Sequence, residues 1–317
     1  MAPATDVDVA DQPVSWRSRL SDWWSGRESS QQLPRDTQRL RQGDIPRSSH
    51  ISEADRARIM EIEAPQQVFG PGRNGPGSNF FYEKLMAPLN PGPERSLLIV
   101  GAGLGASARV LHHRYGARVV GLEASATVAG KAGEINEEEG ITERIDIRAF
   151  NPEGAKLPGR NFDCALVEPL MFAVQHKVEL LRELDFTLKK GGQMILLDFV
   201  VGALTDDNKA DWRTWLESEK PAPKVRTSGE QKDLFAKARL KVRQSSDITP
   251  LYAQMLTKAW ARCLDRLERL PRGQLQTDPA LRGVAELAEY WSRRAVLMET
   301  GALKLMRYHI GKAKFGG

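Results

Sequence analysis

Glycines recur at Gly101, Gly103 and Gly105 directly after the apolar run Leu97-Leu98-Ile99-Val100, and one carboxylate, Glu123, closes the next apolar run, Val119-Val120-Gly121-Leu122. That spacing is the chemistry of nucleoside binding. Glycines let the backbone approach a ligand, and an acid at the end of the following strand accepts hydrogen bonds from ribose hydroxyls. Two further acids close later apolar runs, Glu168 after Cys164–Val167 and Asp198 within Gln193–Val200. A carboxylate at a cleft orients an amine and favours the cation that the amine becomes. Both acids also read as ordinary strand-end residues that pack or cap. The His and Cys positions show no metal-ligand spacing, so no metal site is expected.

These residues need a scaffold that alternates strands with helices. Strands are expected at Leu97–Val100, Arg118–Leu122, Ile145–Ala149, Cys164–Val167 and Gln193–Val200, and helices at Ala106–Tyr115, Thr127–Glu139 and His176–Leu188. Such alternation forces crossover connections and a doubly wound α/β fold with a parallel sheet covered on both faces. The stretch Phe69-Gly70-Pro71-Gly72-Arg73-Asn74-Gly75-Pro76-Gly77 must be a loop, because its glycines and prolines forbid regular structure. After Gly202 the pattern changes. Leu240–Asp247 and Leu303–Gly311 read as strands that pair antiparallel, and two long helices between them, within 250–300, are expected to cover the cleft. The expected organisation is a mobile arm over 1–50, a binding core over 51–202, and a part over 203–317 that completes the sheet.

Composition narrows the class. Of 317 residues, 41% are hydrophobic and 27% charged, which describes a soluble globular chain able to bury a core. The net charge of +5 is spread along the sequence, so a nucleic-acid partner is not implied. Cys164 and Cys263 sit in apolar surroundings and read as reduced thiols of a cytoplasmic protein. In the arm, Trp16, Leu20, Trp23 and Trp24 share one helical face beside Arg17, Arg19 and Arg27. This helix docks on its own domain, on a second subunit, or at a membrane surface.

The turn Gly101-x-Gly103-x-x-Ala106 with Glu123 also fits a dinucleotide or flavin site. Against a flavin stand the turn's position about a third of the way into the chain and the short remainder after Glu123. Further segments decide the matter: Asn161-Phe162-Asp163 before one strand and Leu188-Lys189-Lys190-Gly191-Gly192 before the next. With the glycine turn they make the chain resemble the class I S-adenosylmethionine-dependent methyltransferases. Within that family it looks most like small-molecule N-methyltransferases of the phosphoethanolamine and glycine/sarcosine type, which carry a segment like Phe69–Gly77 before the first strand. The resemblance covers about residues 60–202 well and the remainder loosely.

It implies a Rossmann-like, mostly parallel seven-stranded sheet with an antiparallel last strand and a helical cover. It also implies S-adenosyl-L-methionine as cofactor. Gly101, Ala102, Gly103 and Gly105 would meet its methionine end, together with Gly70. Glu123 would hold the ribose, with Ala124 beside it. Asn151 would accept a bond from the adenine amino group; it also reads as a turn residue before Pro152. Glu168 and Asp198 would be the catalytic carboxylates, Glu168 holding the substrate amine or the cofactor's amino group. The family's first strand usually carries an acid where this chain has Ile99, and the loop Phe69–Gly77 is the candidate substitute. The implied function is methylation of a small or lipid-linked amine. The alternatives are a non-catalytic binding protein on the same scaffold and a flavin or nicotinamide oxidoreductase. The expected setting is cytoplasmic, with the tryptophan helix offering membrane-peripheral or homodimer contact.

Overall fold

The computed structural model describes residues 17–18, 52–154, 156–157, 159, 161–271 and 277–312. The expected tryptophan helix at 16–24 lies outside the described residues apart from Arg17 and Ser18, and the Arg17 guanidinium pairs with Glu299. Chain order begins with α1 (Glu53–Arg58), which continues through a π turn (Ile59–Glu63) into α2 (Ala64–Phe69). The loop over 70–78 follows, then α3 (Asn79–Met86), β1 (Ser96–Val100), α4 (Ala106–Tyr115), β2 (Arg118–Glu123) and α5 (Ala126–Glu138). The centre of the chain supplies β3 (Ile145–Ala149), β4 (Phe162–Val167), α6 (Lys177–Thr187) and β5 (Leu188–Val201). The remainder is α7 (Lys209–Ser218), β6 (Arg226–Thr227), α8 (Ser228–Lys237), β7 (Leu240–Asp247), α9 (Thr249–Leu267), α10 (Pro279–Glu299) and β8 (Leu303–Lys312).

One sheet holds the order β3-β2-β1-β4-β5-β8-β7. The five strands β1 to β5 are parallel, and β8 runs antiparallel to both β5 and β7. The expected partnership of the last two long strands is present, and β8 is wedged between its neighbours rather than lying at an edge. A two-residue strand, β6, adds an eighth member by pairing with the end of β5. Near-continuous apolar runs in β1, β4 and β5 follow from burial on both faces. The turn Lys189–Gly192 bulges out of the β4–β5 pairing, since Phe162 faces Leu188 while Cys164 already faces Gln193.

Side-chain alternation along the strands separates two apolar layers. Leu97, Ile99, Leu197 and Phe199 face one layer, packed against Val68 and Phe69 of α2, Tyr252 and Trp260 of α9, and Trp291 of α10. Leu98, Val100, Leu196 and Tyr308 face the other, with Leu180 and Leu184 of α6 and Phe235 of α8. The first layer opens at the carboxyl ends of β1, β2, β4 and β5. There α1, α2, α10 and the loop over 70–78 wall a cavity of about 910 Å³.

Candidate active site

The turn after β1 is built by its glycines. Gly101, Gly103 and Gly105 have φ of +81°, +53° and +84°, in the left-handed region that favours residues without a Cβ. A Cβ at Gly103 would overlap the side-chain amide of Asn74, whose Oδ1 lies 3.4 Å from the Leu104 nitrogen. The loop before β1 is thus laid directly on the turn. Across from it, Glu123 at the end of β2 accepts from the Gly103 N–H at 2.8 Å and the Ser125 N–H at 3.0 Å. Burial pushes its carboxyl above the ordinary range, and these backbone donors pull it back. Ser125 also caps α5 and donates its hydroxyl to Glu61 of the π turn at 2.5 Å. Gly101, Ala102, Gly103, Glu123 and Ala124 all line the cavity. Gly105 instead sits at the N-cap of α4.

Glu168 follows β4 and faces the same cavity. Its Oε1 accepts the Ser107 hydroxyl at 2.5 Å and its Oε2 the Tyr82 hydroxyl at 3.2 Å. Burial raises its carboxyl to about 7, against the lowering effect of the two hydroxyls. A carboxyl poised there exchanges a proton near neutral pH. Ser107, in the first turn of α4, and Tyr82 of α3 were not singled out as site residues by the sequence. Ser107 adjoins Ala106, the last position of the glycine pattern, and that adjacency is its only sequence signal.

Three further expected site residues lie elsewhere. Asp198 is on the opposite side of β5 from Leu197 and Phe199, because side chains alternate along a strand, and it does not line the cavity. Only 1% exposed, it takes the Gln231 amide at 3.2 Å. Burial raises its carboxyl to about 7, opposed by nearby Lys177. Asn151 is exposed and turns its Oδ1 to the Glu153 N–H at 3.0 Å, which makes it a turn residue in this structure. Gly70 ends α2 with φ +97°, and the cavity is lined by Arg73, Asn74, Gly75 and Pro76 of its loop instead.

Leu197, Phe199, Tyr252, Leu287, Tyr290 and Trp291 also line the cavity and make it a partly aromatic chamber. Tyr252 comes from α9, and Tyr290 and Trp291 from α10. Trp212, Trp215 and Trp260 belong to the core and are not among its lining. The chamber ends on Arg294, whose guanidinium lies 4.4 Å from the Tyr290 ring centre, 5.1 Å from Phe172 and 5.5 Å from Phe199. Its charge is met by Glu219, which also accepts the Trp215 indole N–H at 2.6 Å.

A nucleoside with an amino-acid tail fits this donor set. Glu123 offers acceptors beside a glycine turn, and the buried Nη1 of Arg73 is without a partner among the described residues. Ile99, where the family carries an acid, is wholly buried in the core.

Comparison with known proteins gives the same direction. Residues 98–196 match the methyltransferase domain family. Over 107 residues the chain is 30% identical to the sarcosine/dimethylglycine N-methyltransferase of Halorhodospira halochloris, covering 34% of this chain and 38% of that protein. The Haemonchus contortus phosphoethanolamine N-methyltransferase 2, solved with S-adenosyl-L-methionine, superposes with a TM-score of 0.65 at 16% identity, over 79% of this chain and 56% of that one. The geranyl diphosphate C-methyltransferase of Streptomyces coelicolor A3(2), solved with S-adenosyl-L-homocysteine, gives 0.54 at 18% identity, over 73% and 78%. At such identities the solved structures share the fold. Residues 98–196 are therefore similar to methyltransferase domains.

Proposed function

We propose that this chain transfers a methyl group from S-adenosyl-L-methionine to the nitrogen of a small or lipid-linked amine. The observation that carries the reading is the joint placement of Glu123 and Glu168 in one cavity, on either side of the Gly101–Gly103 turn. The 30% identity to a sarcosine/dimethylglycine N-methyltransferase supports nitrogen as the acceptor atom. When bound, the cofactor supplies a methyl group on a positively charged sulfur, ready for in-line displacement.

The chain's own part is placement and proton handling. Glu123 holds the sugar, while the glycine turn meets the tail of the donor. Glu168, fixed by Ser107 and Tyr82, keeps lone pairs free to accept a hydrogen bond from the acceptor amine. With its carboxyl near 7, it takes the amine's proton and leaves the nitrogen lone pair for attack. The aromatic chamber excludes water and sets the approach; such positioning supplies roughly 7–11 kcal/mol of barrier reduction in well-oriented reactions.

No described helix is long and apolar enough to cross a membrane. A cytoplasmic setting, with peripheral or subunit contact through the tryptophan segment, belongs to the same proposal; the two free, buried cysteines support it. The test is methyl transfer from radiolabelled donor to sarcosine, dimethylglycine, phosphoethanolamine and longer-chain amines, together with calorimetry using S-adenosylhomocysteine. Saturable transfer to an amine is the expected result. Tight nucleoside binding without transfer to any of them would favour a binding protein on this scaffold, and no binding would end the reading.

A further inference from the structure

Arg73 lies in the loop between α2 and α3 and forms a wall shared by two hollows. One is the cavity containing Gly101, Gly103 and Glu168; the other is a pocket of about 400 Å³ on the outer side of α4. The other cations of the outer pocket are engaged. Arg109 lies 3.4 Å from Glu139 and donates to the Gly72 carbonyl at 2.9 Å, His113 lies 3.5 Å from Glu139, and Arg114 lies 3.6 Å from Glu83. Arg73 differs. Its Nη2 donates to the neutral Asn79 amide oxygen at 2.5 Å, and its buried Nη1 has no acceptor. Arg73 forms no ion pair among the described residues.

The cavity carboxyl that feels its charge does not claim it. Glu168 takes the hydroxyls of Ser107 and Tyr82 instead, although the Arg73 charge is felt at both Glu168 and Tyr82. A guanidinium nitrogen removed from water without an acceptor is costly, and an anion arriving there removes that cost. The next loop residue, Asn74, reaches over Gly103 to Leu104. The unsatisfied cation thus lines the same cavity as the glycine turn, one residue from the side chain laid on that turn. On the β1 side, Ile99 supplies no charge at all.

We infer that Arg73 binds the carboxylate of the donor's amino-acid tail, so that this chain grips that tail chiefly by its anionic group. The inference rests on the S-adenosylmethionine reading, and its test separates the two. Calorimetry compares S-adenosylhomocysteine with S-adenosylthiopropylamine, which keeps the nucleoside, thioether and amine but lacks the carboxylate. The wild-type chain binds the carboxylate-bearing ligand roughly 10- to 100-fold more tightly, the range of one or two charge-assisted hydrogen bonds. In Arg73→Gln that preference falls to near unity through loss of S-adenosylhomocysteine affinity alone, and Arg73→Lys restores part of it. A thermal melt with each variant shows that the fold is kept; if Arg73→Gln does not fold, Arg73→Lys and the wild-type preference carry the test. Equal affinities in the wild type, or a preference that survives in Arg73→Gln, overturn the role of Arg73 and leave the nucleoside reading standing. Binding of neither ligand overturns both.

Discussion

Arg294 and Glu219 face each other through two parallel hydrogen bonds, Nε to Oε1 at 2.8 Å and Nη2 to Oε2 at 2.9 Å, with both side chains under 10% exposed. One belongs to α10 and the other follows α7, so the pair ties the cover to the segment that ends the chamber. Removing either partner strands a buried charge. Glu219→Ala is expected to lower unfolding free energy by about 3–5 kcal/mol, whereas the paired change Arg294→Met with Glu219→Leu costs much less. Urea denaturation of the single and double variants measures the difference.

Glu168 predicts a pH signature in activity. Its carboxyl stands at about 7, so kcat/KM for an amine acceptor is expected to rise with pH through an apparent value near 7. Glu168→Gln should lower kcat roughly 100- to 10,000-fold, the usual weight of a general base, and abolish that limb. Its affinity for S-adenosylhomocysteine should change little. A pH–rate profile on both proteins checks this, once an acceptor is in hand.

The same group predicts a pH signature in stability. Its folded-state value is raised from 4.5 to about 7, so between those values the folded chain holds a proton that the unfolded chain has released. Stability therefore falls as pH rises through that window, and the slope from this group ends above about 7. In Glu168→Gln the decline should be shallower. Melting temperatures at half-unit steps give the comparison.

Glu123 braces the glycine turn through Gly103, and in the proposed reading it also holds the ribose. Glu123→Ala is expected to weaken S-adenosylhomocysteine binding roughly 10- to 100-fold, as the loss of charge-assisted bonds implies. By contrast, Asn151 is exposed and bonded only to its own turn. Asn151→Ala should change that affinity by no more than about twofold, within the usual range of surface substitutions. Calorimetry on the two variants side by side is decisive.

The comparison of Glu123 with Asn151 also shows what a sequence reveals. Apolar runs ending in glycine or a lone acid specify strand, turn and register through local rules. That is why Ala106–Tyr115, Ile145–Ala149 and Leu240–Asp247 stand where the pattern puts them. The direction of a side chain at a strand end is a further question. Asp198 reads like Glu168 along the chain, yet the two-residue alternation of β5 sends it to the other layer. The residues that hold Glu168 come from α3 and α4, far from it in sequence, and only the folded chain brings Tyr82, Ser107 and Glu168 together. The loop over Phe69–Gly77 was legible as a loop, but nothing in its composition says that Arg73 ends up on the cavity wall with a nitrogen to spare.

The position of β8 bears on how the chain is made. Its partner β7 ends at Asp247 and the strand itself begins at Leu303, yet it is β8 that joins β7 to the rest of the sheet. During synthesis the ribosome must release α9 and α10 before β5 gains β8 along its length. Until then the emerging chain carries an open, apolar strand border, the kind of surface that chaperones shield. Assembly of β1 to β5 can begin early. The cavity, one wall of which is α10, is completed only as the last strand is threaded in.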